Sequence, residues 1–293
     1  MSYKEAYKQY LDLAETALQR CSDRYLPEES EVCRAARYSL LGGGKRIRAV
    51  LTVAVCDMLH GNMDCAADFS AAVEMLHCYS LIHDDLPCMD DDDMRRGKPS
   101  CHKAFGEATA LLAGDVLLTE AFETIASAPG SAEIRVRAAK ELSHGAGSVG
   151  MVWGQELDLK HEIVPATEEQ LRQIHHGKTG ALINAAVQMG AASALADSAT
   201  CAVLEQYAYD LGLVFQIVDD VLDVTGSEAE LGKPIGSDAS NDKTTFVTLY
   251  GTDGAMALAE QINRAACAEM EKAFGARAAF LVELAETLLH RRN

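Results

Sequence analysis

Six aspartates fall between Asp84 and Asp93 in LIHDDLPCMDDDDMRRGKP, residues 81–99, and Arg95, Arg96 and Lys98 follow at once. Carboxylates this close repel one another unless a cation neutralises them. Asp84 and Asp85 close an apolar run, Pro87 breaks it, and Asp90 follows after the four residues LPCM. That spacing is not helical, so a loop must return Asp90 to Asp84. The loop is not a calcium EF-hand, because it lacks the glycine at mid-loop and the glutamate at its end. A second acidic site is FQIVDDVLD, residues 215–223. Asp219 and Asp223 are four apart and share one helical face, while Asp220 turns away by about a quarter of a circle. The apolar neighbours Phe215, Ile217, Val218, Val221 and Leu222 argue against a wholly solvated face. Mg²⁺ would relieve both sites. It prefers carboxylate and water oxygens and takes substrate phosphates as further ligands.

Cations gather in a few motifs. GGGKRIR, residues 42–48, supplies Lys45, Arg46 and Arg48; HHGKTG, residues 175–180, supplies Lys178 beside Thr179; GKP and NDKTT supply Lys233 and Lys243. Arginine forks match phosphate oxygens, and lysine adds a compact charge. The triple glycine is not a P-loop, because the G-x-x-x-x-G-K-[ST] spacing is absent. Taken singly, each cation reads as a surface charge. Taken with two magnesium-type acidic sites, they read as a pocket for diphosphates. Asp91, Asp92 and Asp93 point outward or answer nearby cations.

In their order, GGGKRIRAVL, HDDLPCMDDDDMRRGKP, GQELDL, GKTG, FQIVDDVLD and GKPIGSD resemble the trans-prenyltransferases that make linear isoprenyl diphosphates, the polyprenyl synthetase family. The four-residue gap in the first acidic motif is similar to the bacterial farnesyl diphosphate synthase type. The resemblance implies that Asp84, Asp90 and Asp219 hold Mg²⁺, three ions per active site, with Mn²⁺ as a substitute. It implies that Asp85, Asp220 and Asp223 orient metal waters or basic partners. Arg95, Lys178 and Lys233 would contact the allylic diphosphate (dimethylallyl or geranyl diphosphate). Lys45, Arg48, His77 and Arg96 would hold isopentenyl diphosphate. Thr179 and Gln216 would flank the reacting carbons together with Lys178, and Gln155 and Asp158 would stand behind them. An aromatic at Tyr79, with Ser80 beside it, is associated with farnesyl chain length. Tyr79 precedes Asp84 by five residues, about 7.5 Å at helical rise. The expected product is therefore farnesyl diphosphate. Alternatives are a geranylgeranyl diphosphate synthase, a terpene cyclase, and a non-catalytic subunit of a heteromeric synthase. Two intact acidic motifs and a second basic set speak against the last two. His83, His175 and His176 receive no role.

The elements that must position these residues read as helices. Apolar residues recur at spacings of three and four over Lys4–Cys21, Ala66–Leu86, Ala108–Ala126, Ala132–Val149, Glu168–Ala192, Thr200–Val224 and Gly254–Phe274. No sustained strand alternation occurs. Thr167 and either Asp197 or Ser198 are suited to cap helices, and the prolines fall at breaks. With no low-complexity linker, residues 1–293 read as one all-α domain, a large helical bundle around a central cavity. A net charge of −18 disfavours nucleic acid and anionic membrane as partners. No apolar run is long enough to span a bilayer, and the N-terminus lacks a signal-peptide core. Nine cysteines without paired spacing fit a reducing compartment, so the expectation is a cytoplasmic protein. Homodimerisation is implied by the resemblance, with apolar helix Leu111–Phe122 as a candidate interface.

Overall fold

Capping residues and prolines set where the helices begin and end. The computed structural model of the protein describes residues 2–225 and 243–291. Ser2 opens α1 (Tyr3–Tyr25) with a capping box in which its hydroxyl accepts the Glu5 N–H and the Glu5 carboxylate accepts the Ser2 N–H. Thr167 does the same with Gln170 at a later helix, and the Asp197 carboxylate accepts the Thr200 N–H at 2.8 Å. Pro27, Pro87, Pro129 and Pro165 lie between helices, while Pro99 ends a short strand. The fold is all-α, as the periodicity predicts. The only strands among the described residues are two of two residues each.

By density of internal contacts the chain forms two compact units, Met1–Leu142 with Met189–Ala196, and Ser143–Gln188 with Asp197–Asn293. In the first, α1 is followed by α2 (Glu31–Leu40), α3 (Ile47–Met58) and α4 (Met63–Asp84). Strands β1 (Met94–Arg95) and β2 (Lys98–Pro99) then make a hairpin that leads into α5 (Cys101–Phe105), α6 (Glu107–Ser127) and most of α7 (Ala132–Ala146). Phe69, Val73, Met75, Leu76 and Ile82 of α4 are all buried. A helix apolar on every side belongs in a core, and α4 packs against α1, α3 and α6.

The second unit holds α8 (Met151–His161), α9 (Glu168–His175), a π-helical turn (His176–Gly180), most of α10 (Ala181–Ser193), α11 (Ser198–Thr225), α12 (Phe246–Phe274) and α13 (Ala279–Leu289). Val214, Ile217, Val218 and Val221 of α11 bury against Phe246 and Ala259 of α12. Gly251, at φ 68°, interrupts α12. All nine cysteines are free, and burial pushes the Cys78 thiol up to about 12. No helix among the described residues is long and apolar enough to cross a membrane.

Candidate active site

In the first unit, α4 delivers Asp84 as its last residue, and the chain turns back on itself. The Asp90 N–H donates to the Asp84 carbonyl at 2.8 Å, and the Asp91 N–H donates to Leu86 at 3.2 Å. The LPCM insert therefore returns Asp90 to the end of the helix. Asp85, at the C-cap, points inward and is buried. Arg95 grips it through Nε at 3.0 Å and through Nη2, and also reaches Asp92 at 3.2 Å. Burial raises the Asp85 carboxyl above the usual carboxylate range, and Arg95 only partly offsets this. Its guanidinium is thus committed to two aspartates, in addition to the contact with the allylic diphosphate that the resemblance implies.

Arg96 and Gly97, at φ 53° and 73°, form the two-residue turn of the hairpin. Two positive φ values are the signature of a type I′ turn, and glycine takes one at little cost. The turn sends Arg96 away from Arg95, to donate to the Gly43 carbonyl. A Cβ on Gly44 would lie 2.8 Å from the Arg96 guanidinium carbon. The triple glycine thus makes room for an arginine.

The three cations of GGGKRIR part company. Arg46, at φ 51°, is buried and pairs with Glu15 at 2.8 Å and Glu74 at 3.3 Å, and it donates to the Leu40 carbonyl at 2.7 Å. Lys45 is exposed, and its carbonyl accepts the Tyr7 hydroxyl at 2.8 Å. Arg48 faces the His77 imidazole, Nη1 to Nε2 at 3.3 Å, and its buried Nε has no hydrogen-bond partner. Burial, then the charges of Arg48 and Arg96, hold the His77 imidazole well below its usual range, so it is neutral. Burial also lowers Arg48 and Arg96, which still carry charge. A guanidinium with an orphaned donor and a second guanidinium nearby suit an anion. Tyr79 is 8% exposed, and its ring meets His83 edge-on at 5.6 Å. The Ser80 hydroxyl turns back to the His77 carbonyl at 2.9 Å. A shallow open cleft is bordered by Tyr38, Cys78, Leu81, Asp85, Arg95 and Arg96.

In the second unit the GKTG residues occupy the π-helical turn, a feature common at functional sites. A Cβ on Gly154 would lie 2.0 Å from the Lys178 backbone nitrogen, and one on Gly212 would lie 2.9 Å from the Gly180 Cα. Glycines therefore let α8 and α11 press against the turn. Lys178 pairs with Asp158 at 2.6 Å, and Lys243 reaches Asp158 at 3.6 Å and Glu162 at 3.0 Å. Burial alone would raise the Asp158 carboxyl, but the two lysines outweigh it and hold the group below the usual range. The Thr179 hydroxyl donates to Gln216 Oε1 at 2.7 Å. Asp219 pairs with Arg291, whose guanidinium lies 3.6 Å over the Phe215 ring and donates to the Phe215 carbonyl at 2.8 Å. Asp220 is buried and accepts the Phe246 N–H at 2.8 Å, so it anchors the start of α12. Lys233 lies outside the described residues.

Several participants escape the sequence reading. Glu74 carried a signal, a lone carboxylate inside the apolar run AAVEMLH. Glu15 and Arg291 carried none, because on a helix face or near a chain end such charges read as solvated.

Residues 29–277 match the polyprenyl synthetase family. The chain is 47% identical over 236 residues to a farnesyl diphosphate synthase from Micrococcus luteus, covering 80% of this chain and 81% of that protein. It is 45% identical over 269 residues to a chloroplastic geranylgeranyl pyrophosphate synthase from Catharanthus roseus, covering 91% and 75%. Among solved structures, a geranyltransferase from Legionella pneumophila superposes with a TM-score of 0.88 at 37% identity, covering 99% of this chain and 97% of that one. The chain belongs to the polyprenyl synthetase family of trans-prenyltransferases.

Proposed function

We propose that this enzyme condenses isopentenyl diphosphate with dimethylallyl or geranyl diphosphate to give farnesyl diphosphate, acting as a single catalytic domain and a cytoplasmic homodimer. One observation carries the reading: the last turns of α4 bear, in order, a neutral His77 against Arg48, the buried Tyr79 ring, and Asp84 with Asp90 folded back to it. Asp84, Asp90 and Asp219 present the carboxylate oxygens that Mg²⁺ or Mn²⁺ prefers. When bound, such ions supply positive charge to a departing diphosphate. Lys45, Arg48, His77 and Arg96 bind isopentenyl diphosphate, and Arg95, Lys178 and Lys233 bind the allylic diphosphate. Because Thr179 donates its proton to Gln216, its oxygen lone pairs remain to stabilise a cation left when the allylic C–O bond breaks. The released diphosphate takes the proton after the new C–C bond forms. Exposed Leu111 and Leu112 on α6 supply apolar surface for the dimer.

The test is incubation with Mg²⁺, labelled isopentenyl diphosphate and dimethylallyl or geranyl diphosphate, with the product resolved by chain length. A linear C15 product is expected. A cyclic hydrocarbon, or metal binding without turnover, overturns the proposal. The likeness to a geranylgeranyl pyrophosphate synthase favours a second reading, a C20 product. Tyr79 separates the two: with the ring as the floor, Tyr79→Ala extends the product beyond C15, whereas an unchanged length in the variant removes Tyr79 from that role.

A further inference from the structure

Beyond the aspartates proposed for Mg²⁺, Asp91, Asp93 and His102 bring two carboxylates and an imidazole together, with their donor atoms all within 4.8 Å of one another. His102 sits on α5, just past the hairpin, and its side chain is only 2% exposed. Its Nδ1 lies 3.1 Å from the Ser100 hydroxyl. Its Nε2 is buried, has no hydrogen-bond partner, and faces the Asp91 carboxylate at 3.9 Å, too far for a direct bond. A buried imidazole nitrogen without a partner is costly. An Nδ1–H donated to Ser100 would leave the Nε2 lone pair directed at the carboxylates, the arrangement that metal-ligating histidines adopt.

We infer that Asp91, Asp93 and His102 form a site for a transition-type divalent cation such as Zn²⁺, separate from the proposed Mg²⁺ ligands. The donor set decides the class: imidazole with carboxylate suits zinc and its neighbours, whereas Mg²⁺ prefers oxygen alone. An ion about 2.1 Å from each donor spans donor pairs up to ~4.2 Å apart. The His102–Asp91 pair already falls within that reach, and the exposed carboxylates close the remainder by small rotations. Lys103 occupies the same acidic corner, 2.7 Å from Asp93 and 3.9 Å from Asp91. The cation therefore competes with an ammonium group. Once bound, it ties the chain before the hairpin to the chain after it and braces the segment bearing Arg95 and Arg96.

The test is calorimetric titration of the full chain, stripped by chelator, with Zn²⁺ in the absence of Mg²⁺ and diphosphate. Wild type should show one tight Zn²⁺ step. Asp93→Asn should weaken it by about tenfold or more, and Lys103→Ala should strengthen it by removing the competitor. Both residues are exposed, so the test survives if His102→Gln fails to fold. The step should persist in Asp84→Asn and Asp219→Asn. Equal stoichiometry and affinity in wild type, Asp93→Asn and Lys103→Ala overturns the site, as does loss of the tight step in Asp84→Asn or Asp219→Asn.

Discussion

Arg46 and Arg48 are two residues apart and hold opposite positions in the energetics of the first unit. Arg46 is buried among two carboxylates and a carbonyl. Arg48 is partly buried beside a neutral imidazole, with an unpartnered Nε. Removing one member of a buried ion pair strands the other, at about 3–5 kcal/mol. Arg46→Met should therefore destabilise the protein by roughly that amount, because Glu74 is left charged and buried. Arg48→Met leaves Glu74 paired with Arg46 and removes a desolvated charge that Glu74 attracts and Arg96 repels. Its stability should stay within about 0.5 kcal/mol of wild type, the range of substitutions that break no buried network. Urea denaturation of the two variants checks this, and similar losses in both would show that Arg48 is structural. The same contrast bears on His77, which in wild type stays neutral beside the guanidinium.

At the scale of elements, the π-helical turn joins stability to the placement of Lys178 and Thr179. Gly154 of α8 packs on the turn so closely that a methyl group would overlap the Lys178 backbone. Backbone cannot move aside as a side chain does, so Gly154→Ala must push α8 from the turn. Overpacking of this kind costs about 1–3 kcal/mol, and it should also lengthen the Lys178–Asp158 pair. A lowered urea midpoint for Gly154→Ala is the expected result, and an unchanged midpoint would mean that the two elements separate freely. The sequence reading placed Glu168–Ala192 in one helical stretch, and its apolar spacing does continue through α9 and α10. A single i→i+5 turn shifts the helical phase by only about one residue, too little for an apolar spacing of three and four to expose it. The long helices were legible because their apolar faces repeat over many turns. By contrast α2, α3 and α8 are short, and the hairpin at residues 94–99 contributes only two residues per strand. The return of Asp90 to Asp84 was legible for a different reason: six crowded carboxylates and Pro87 left the chain few alternatives. The commitments of Arg95 to Asp85 and of Arg291 to Asp219 were not, because they join residues through tertiary folding and not through spacing.

Across the whole molecule, a net charge of −18 governs the response to acid. Lowering the pH toward the isoelectric point relieves mutual repulsion, so a simple charge argument predicts stabilisation. The partly buried histidines His77 and His175 act against it. Burial lowers His175 to about 4, and its Nε2 has no hydrogen-bond partner in the fold. In the unfolded chain the same imidazole takes its proton near the ordinary value of about 6.5. Between these values the unfolded state binds the extra proton, so stability rises with pH across that window and falls as pH drops from 6.5 toward 4. Above 6.5 neither state is protonated and the contribution is constant. One such group changes stability by at most ~1.4 kcal/mol per pH unit within the window. His77, held low for the same reason, adds in the same direction. Substitution at His175 isolates its share. His175 stacks on Phe246 at 5.7 Å between ring centroids, so His175→Phe keeps an aromatic ring there while removing the titrating group. Thermal midpoints followed from pH 7 down to pH 4.5 should fall more steeply for wild type than for His175→Phe, with the two curves running parallel above about pH 6.5. Parallel curves over the whole range would mean that His175 is protonated in the folded protein as readily as in the unfolded chain, and that burial beside Phe246 leaves its charge unaffected.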